Sequence, residues 1–108
     1  MGVVLERTPS IRERLFTSGE RAYCDERRDP VERYAARFAA KEAVLKAMGL
    51  GVGACKWVEI EVVRHDSGAP SLRLHGGAMA LAEERGISRW LLTMSHTSHV
   101  AEAIAVAL

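Results

Sequence analysis

The strongest constraint on this chain is a helix marked at both of its ends. Asp29 is a natural N-cap, Pro30 suits the first helical position, and Glu32 completes a capping box. Gly49 supplies the stop, so the pattern predicts one long helix from Pro30 to Met48. Within it Tyr34, Phe38, Leu45 and Met48 recur at helical spacing and make an apolar stripe. Glu42 and Lys46 stand one turn apart with the acid N-terminal, the favourable order for an i,i+4 pair. Arg37 and Lys41, also one turn apart, add two cations. A carboxylate among several cations can hold a metal ion and a phosphate together. The same residues can equally make a solvated ion pair on a helix surface.

Around that helix the signals alternate between helices and hairpins. Thr8 with Pro9 opens a short helix ending at Leu15 or Phe16, and Thr17 with Glu20 makes a second capping box for a helix from Ser18 to Asp25. Gly49, Gly51 and Gly53 alternate in a loop whose free backbone N–H groups suit close approach to an anion. Val58 to His65 alternates like a half-buried strand, Asp66-Ser67-Gly68 turns, and Ser71 to His75 returns. Ala78 to Arg85 is an alanine-rich helix stopped by Gly86. Arg89 to Ser95 and Val100 to Leu108 form a second hairpin about Thr97-Ser98. In its last strand Val100, Ile104, Val106 and Leu108 share one face, and Ala101, Ala103, Ala105 and Ala107 the other. A face of alanines lets a helix approach closely. The order predicts an α+β class: one long helix and short helices packed on a small antiparallel sheet, in a single domain spanning 1–108.

Composition limits the function classes. A net charge of +1 gives no global basic footprint and argues against nucleic acid as partner. No apolar run is long enough to span a bilayer, and the first residues lack the basic and apolar regions of a signal peptide, so a cytoplasmic setting with no membrane partner is expected. Cys24 and Cys55 lack metal-type spacing and read as free thiols in a reducing compartment. His96 with His99, and His65 with His75, have no third ligand at zinc spacing. Ser95-His96 lacks a nucleophile elbow, so consecutive Ser and His do not make a hydrolase dyad. Arg7, Arg12, Arg14, Arg21, Arg27, Arg28 and Arg33 crowd the first third among Glu6, Glu13, Glu20, Asp25, Glu26 and Asp29, as a salt-bridged helical surface does.

The run Arg37-Phe38-Ala39-Ala40-Lys41-Glu42-Ala43, then Lys46, then Gly49-Leu50-Gly51-Val52-Gly53, resembles the signature of the holo-[acyl-carrier-protein] synthases, small members of the 4'-phosphopantetheinyl transferase superfamily. Leu15-Phe16-Thr17 with Glu20, Glu59-Ile60-Glu61-Val62 and Met94-Ser95-His96-Thr97 match in the same order. The last is similar to the family's Ser-x-Ser-His strand end, with Thr93 in place of the first Ser. The likeness runs from about Arg7 to the C-terminus.

That resemblance implies Mg²⁺-dependent transfer of phosphopantetheine from coenzyme A to a serine of an acyl carrier protein. It implies Glu42 as a metal ligand and Lys46 as a phosphate contact, both catalytic. Arg37, Lys41, Gly49, Gly51, Gly53, Ser95 and His96 would join Lys46 in holding coenzyme A. Arg14 aligns best with a contact to the carrier's acidic helix, ahead of Arg7, Arg12 and Arg21. A homotrimer with active sites between subunits is implied too. Family members begin with a strand carrying Gly-x-Asp, whose Asp is a second metal ligand. This chain opens Met1-Gly2-Val3-Val4-Leu5-Glu6-Arg7-Thr8, with no Asp before Asp25, so an N-terminally shortened domain is expected. The alternative is an impaired member that keeps the fold as a structural or carrier-binding module.

Overall fold

A computed structural model of the chain describes residues 9–97 and 99–108. The N-cap expected at Thr8, Arg7 and the other opening residues, and Ser98 of the second turn lie outside them. Helix α1 spans Pro9–Leu15 and α2 spans Ser18–Asp25. Thr17 and Glu20 form the expected reciprocal box: the Glu20 backbone N–H donates to Thr17 Oγ1 at 3.1 Å, and the Thr17 N–H donates to Glu20 Oε1 at 2.9 Å.

Helix α3, Pro30–Ala47, is the centre of the molecule. Its start differs from expectation. Asp29 makes no side-chain cap; its Oδ1 accepts instead from Arg33 Nε at 3.1 Å. Glu32 does not reach back to close a box, because its carboxylate is drawn to His96 on a distant strand. The end is as expected. Gly49 takes φ 73°, its N–H donates to Lys46 O, and the Leu50 N–H donates to Leu45 O at 2.8 Å. These two bonds satisfy orphan carbonyls in a Schellman arrangement, and Leu50 packs on the core beside Leu45.

A single 3₁₀ turn at Trp57–Glu59 replaces the first part of the strand expected from Val58. Glu59 causes the delay. Its carboxylate accepts from the backbone N–H groups of Lys56 and Gly77, tying this turn to the next helix. Strand β1, Ile60–Arg64, pairs antiparallel with β2, Pro70–Leu74, placing Ile60 opposite Leu74 and Val62 opposite Leu72. Helix α4, Gly76–Glu84, begins two residues before the expected Ala78. Gly76 has φ 51°, and a Cβ there would lie 2.3 Å from Glu59 Oε2. The positive φ favours glycine at that start, and any side chain there would also have to displace the Glu59 carboxylate.

Strands β3, Trp90–His96, and β4, Ala101–Ala107, form the second hairpin, with Ser95 opposite Glu102 and His96 opposite Ala101. The two hairpins remain separate two-stranded sheets. The main core joins Val44, Leu45 and Met48 of α3 to Ile60, Leu74, Ala78 and Ala82. A second core holds Phe16, Cys24 and Tyr34 under α1 and α2. The alanines of β4 are half-buried toward α3, whereas Val100, Ile104, Val106 and Leu108, with Leu91 of β3, are exposed. No helix among the described residues is long and apolar enough to cross a membrane.

Candidate functional site

Every fourth residue of α3 presents a different environment. Lys41 is wholly buried. Its Nζ donates to Glu20 Oε1 at 2.8 Å, to Trp57 O at 3.0 Å and to Ile60 O. Three ammonium protons therefore have three protein acceptors. Glu20 is equally buried, and its other oxygen accepts from the Val62 N–H at 2.9 Å. Burial lowers the Lys41 pKa, against the opposing pull of Glu20. Lys41, expected at the coenzyme A site, has all three of its donors engaged within the protein and ties α2, α3 and β1 together.

One turn earlier, Arg37 is 1% exposed. It makes no hydrogen bond or ion pair with any described residue, and its Nε has no partner. Its guanidinium lies 4.3 Å from the ring centre of Tyr23, over which Arg27 and Arg64 also sit, at 4.0 and 5.6 Å. Arg37 lines a cavity of about 260 Å³ with Arg33, Ala36, Arg64, Met94, Ser95 and His96. Three guanidiniums, an imidazole and a hydroxyl around one small cavity fit an anion, and Arg forks suit phosphate oxygens. Thus the structure brings together Arg37, Ser95 and His96, three residues far apart in sequence.

Glu42 and Lys46 line a different cavity, of about 400 Å³, between α3 and β4. They make no ion pair with each other, so the i,i+4 bridge is not formed. Glu42 is half-buried and Lys46 exposed. Glu102 of β4 borders the same cavity. It escaped sequence reasoning, although it is the only polar residue in Ala101–Ala107. Two carboxylates with an ammonium nearby suit Mg²⁺, a hard cation that takes one or two protein carboxylates and otherwise binds water or phosphate oxygens.

The remaining expected residues lie elsewhere. Gly49, Gly51 and Gly53 line neither cavity, and Gly49 serves as the terminator of α3. Arg14 is exposed on α1 without a partner among the described residues. Arg12 is engaged: it pairs with Asp25 and donates to Tyr34 Oη at 2.9 Å, while that hydroxyl donates to Asp25 Oδ1 at 2.8 Å. This triad seats α1 on α3. Arg21 is half-buried.

A model of the 4'-phosphopantetheinyl transferase superfamily matches residues 3–105. The chain is 44% identical over 102 residues to a holo-[acyl-carrier-protein] synthase of Moorella thermoacetica, covering 94% of this chain and 80% of that protein. It is 50% identical over 93 residues to one from Anaeromyxobacter sp. strain K, covering 86% and 71%. Among solved structures, the holo-[acyl-carrier-protein] synthase of Neisseria meningitidis superposes with TM-score 0.86 at 31% identity over 99% of this chain and 86% of that one. A coenzyme A complex of the enzyme from Chronobacterium ammoniagenes also gives 0.86, at 28% identity over 99% and 87%. With likenesses this close along nearly its whole length, the chain belongs to the holo-[acyl-carrier-protein] synthases of the 4'-phosphopantetheinyl transferase superfamily and is a transferase.

Proposed function

We propose that this chain moves 4'-phosphopantetheine from coenzyme A to a serine hydroxyl of an acyl carrier protein. The observation that carries this reading is Arg37, a buried guanidinium with no described protein partner facing a cavity that also holds Ser95 and His96. A buried guanidinium with no counter-charge among the described residues suits an anionic ligand, which offsets the cost of burial. The arginines and His96 would take the phosphates of coenzyme A. The serine oxygen attacks the β-phosphorus and forms the new P–O bond. The bond to adenosine 3',5'-bisphosphate breaks, and the serine proton passes to solvent or a nearby base. Lys46 meets charge growing on the phosphoryl oxygens. Glu42 would hold Mg²⁺, with Glu102 as the other carboxylate at that cleft, and the cation would supply polarisation of the pyrophosphate.

The phosphate-binding and carboxylate groups line separate cavities in one protomer. That division, with the exposed apolar face of β4, supports a homotrimer in which neighbours complete each other's sites. Arg14, exposed at the end of α1, is suited to the acidic helix of a carrier protein.

The test is the mass of an apo acyl carrier protein incubated with coenzyme A, Mg²⁺ and this chain. It should rise by one phosphopantetheine, and a chelator should stop the gain. Lys46→Ala should cut the rate by about a hundredfold to a thousandfold, as loss of a transition-state donor does. Glu42→Gln should abolish the Mg²⁺ response. Carrier binding without a mass change would instead make the protein a binding module.

A further inference from the structure

His96 ends β3 with its ring in the arginine-lined cavity, and two carboxylates stand behind it. Its Nδ1 lies 3.1 Å from Glu32 Oε2 and 3.9 Å from Asp29 Oδ2. Both acids belong to the beginning of α3, whereas His96 is 64 positions away in sequence from Glu32. Neither acid lines the cavity. Asp29 is also committed to Arg33, whose hydrogen bond holds its carboxyl below the usual carboxylate range. Glu32 therefore acts on His96 without facing the anion.

We propose that Glu32, supported by Asp29, is the positioning residue for His96. A carboxylate oxygen accepts, so the ring proton is fixed on Nδ1 and Nε2 is turned to the cavity. Held by Nδ1 in this way, the ring directs Nε2 at the cavity, where its protonated form donates an Nε2–H to a phosphate oxygen. Carboxylates play the same orienting role behind metal-bound histidines.

The inference rests on the coenzyme A reading of the cavity, and its test separates the two. Long-range ¹H–¹⁵N spectra of the labelled chain, with His96 assigned through His96→Gln, should show the Nδ1–H form. Glu32→Gln keeps an acceptor and should preserve that form, whereas Glu32→Ala should give a tautomer mixture. Calorimetry with coenzyme A should show binding about tenfold weaker in Glu32→Ala, with most of the loss restored in Glu32→Gln. Adding Glu32→Ala to His96→Gln should weaken binding no further. An unchanged tautomer in Glu32→Ala, or losses that add, would overturn the positioning role. If His96→Gln leaves coenzyme A affinity intact, the cavity reading fails, while the spectra still decide what Glu32 does.

Discussion

Lys41 and Arg37 are both fully buried cations, one turn apart on the same helix, and they serve opposite purposes. The lysine has an acceptor for each proton; the arginine has none among the described residues and lies over the face of Tyr23. Burial alone therefore says little about whether a charge holds the fold or awaits a ligand. The accounting of partners separates the two.

The contrast can be broken most forcefully at Lys41. Lys41→Met leaves the Glu20 carboxylate buried without its counter-ion, a change that costs about 3–5 kcal/mol. Thermal or urea unfolding should show that loss, and Glu20→Gln in the same chain should recover part of it. Coenzyme A affinity of the folded fraction should stay unchanged. Equal losses of stability and affinity would erase the distinction.

Arg37→Met should behave in reverse. It removes a buried charge that has no counter-ion among the described residues and keeps an apolar stem, so unfolding should move little. Coenzyme A binding should weaken by about tenfold to a hundredfold, the worth of a charge-assisted hydrogen bond. If stability collapses while affinity holds, Arg37 is structural.

The smallest effect concerns the surface acids around the junction. Burial pushes the Glu61 carboxyl up, yet hydrogen bonds from His75 and Thr17 outweigh it and hold it below the usual range. The backbone N–H groups of Gly77 and Lys56 do the same for Glu59. A carboxyl lowered on folding stabilises the protein fully above its unfolded-state value, and that contribution is lost as pH falls through the lower folded value. Melting temperature should therefore hold from pH 7 to about 5 and decline below about 4.5. Glu61→Gln should flatten the decline slightly, without altering coenzyme A binding at pH 7.

What was legible in the sequence was local. The Thr17/Glu20 box and the Gly49 and Gly86 stops depend on residues a few positions apart, and they appear where spacing put them. The alanine face of β4 was equally readable from alternation. What spacing could not supply was competition from afar. Glu32 sits where a capping-box acid belongs, but His96, distant in sequence, offers a stronger partner. Lys41 looks like any surface lysine of a basic helix until Glu20 and two carbonyls converge on it. For the site, the family motif marked Arg37, Glu42, Lys46, Ser95 and His96, but not their division between two cavities, nor Glu102.

Cys24 carries one more consequence. The thiol is fully enclosed beneath α2, and desolvation raises its pKa to about 11. Cys55 is only partly covered. Since thiolates react and thiols scarcely do, an alkylating reagent meets Cys55 in the native molecule and Cys24 only after the small helices lift from α3. The ratio of the two labelling rates is thus an internal clock for the opening of that layer, readable by mass spectrometry without adding any probe.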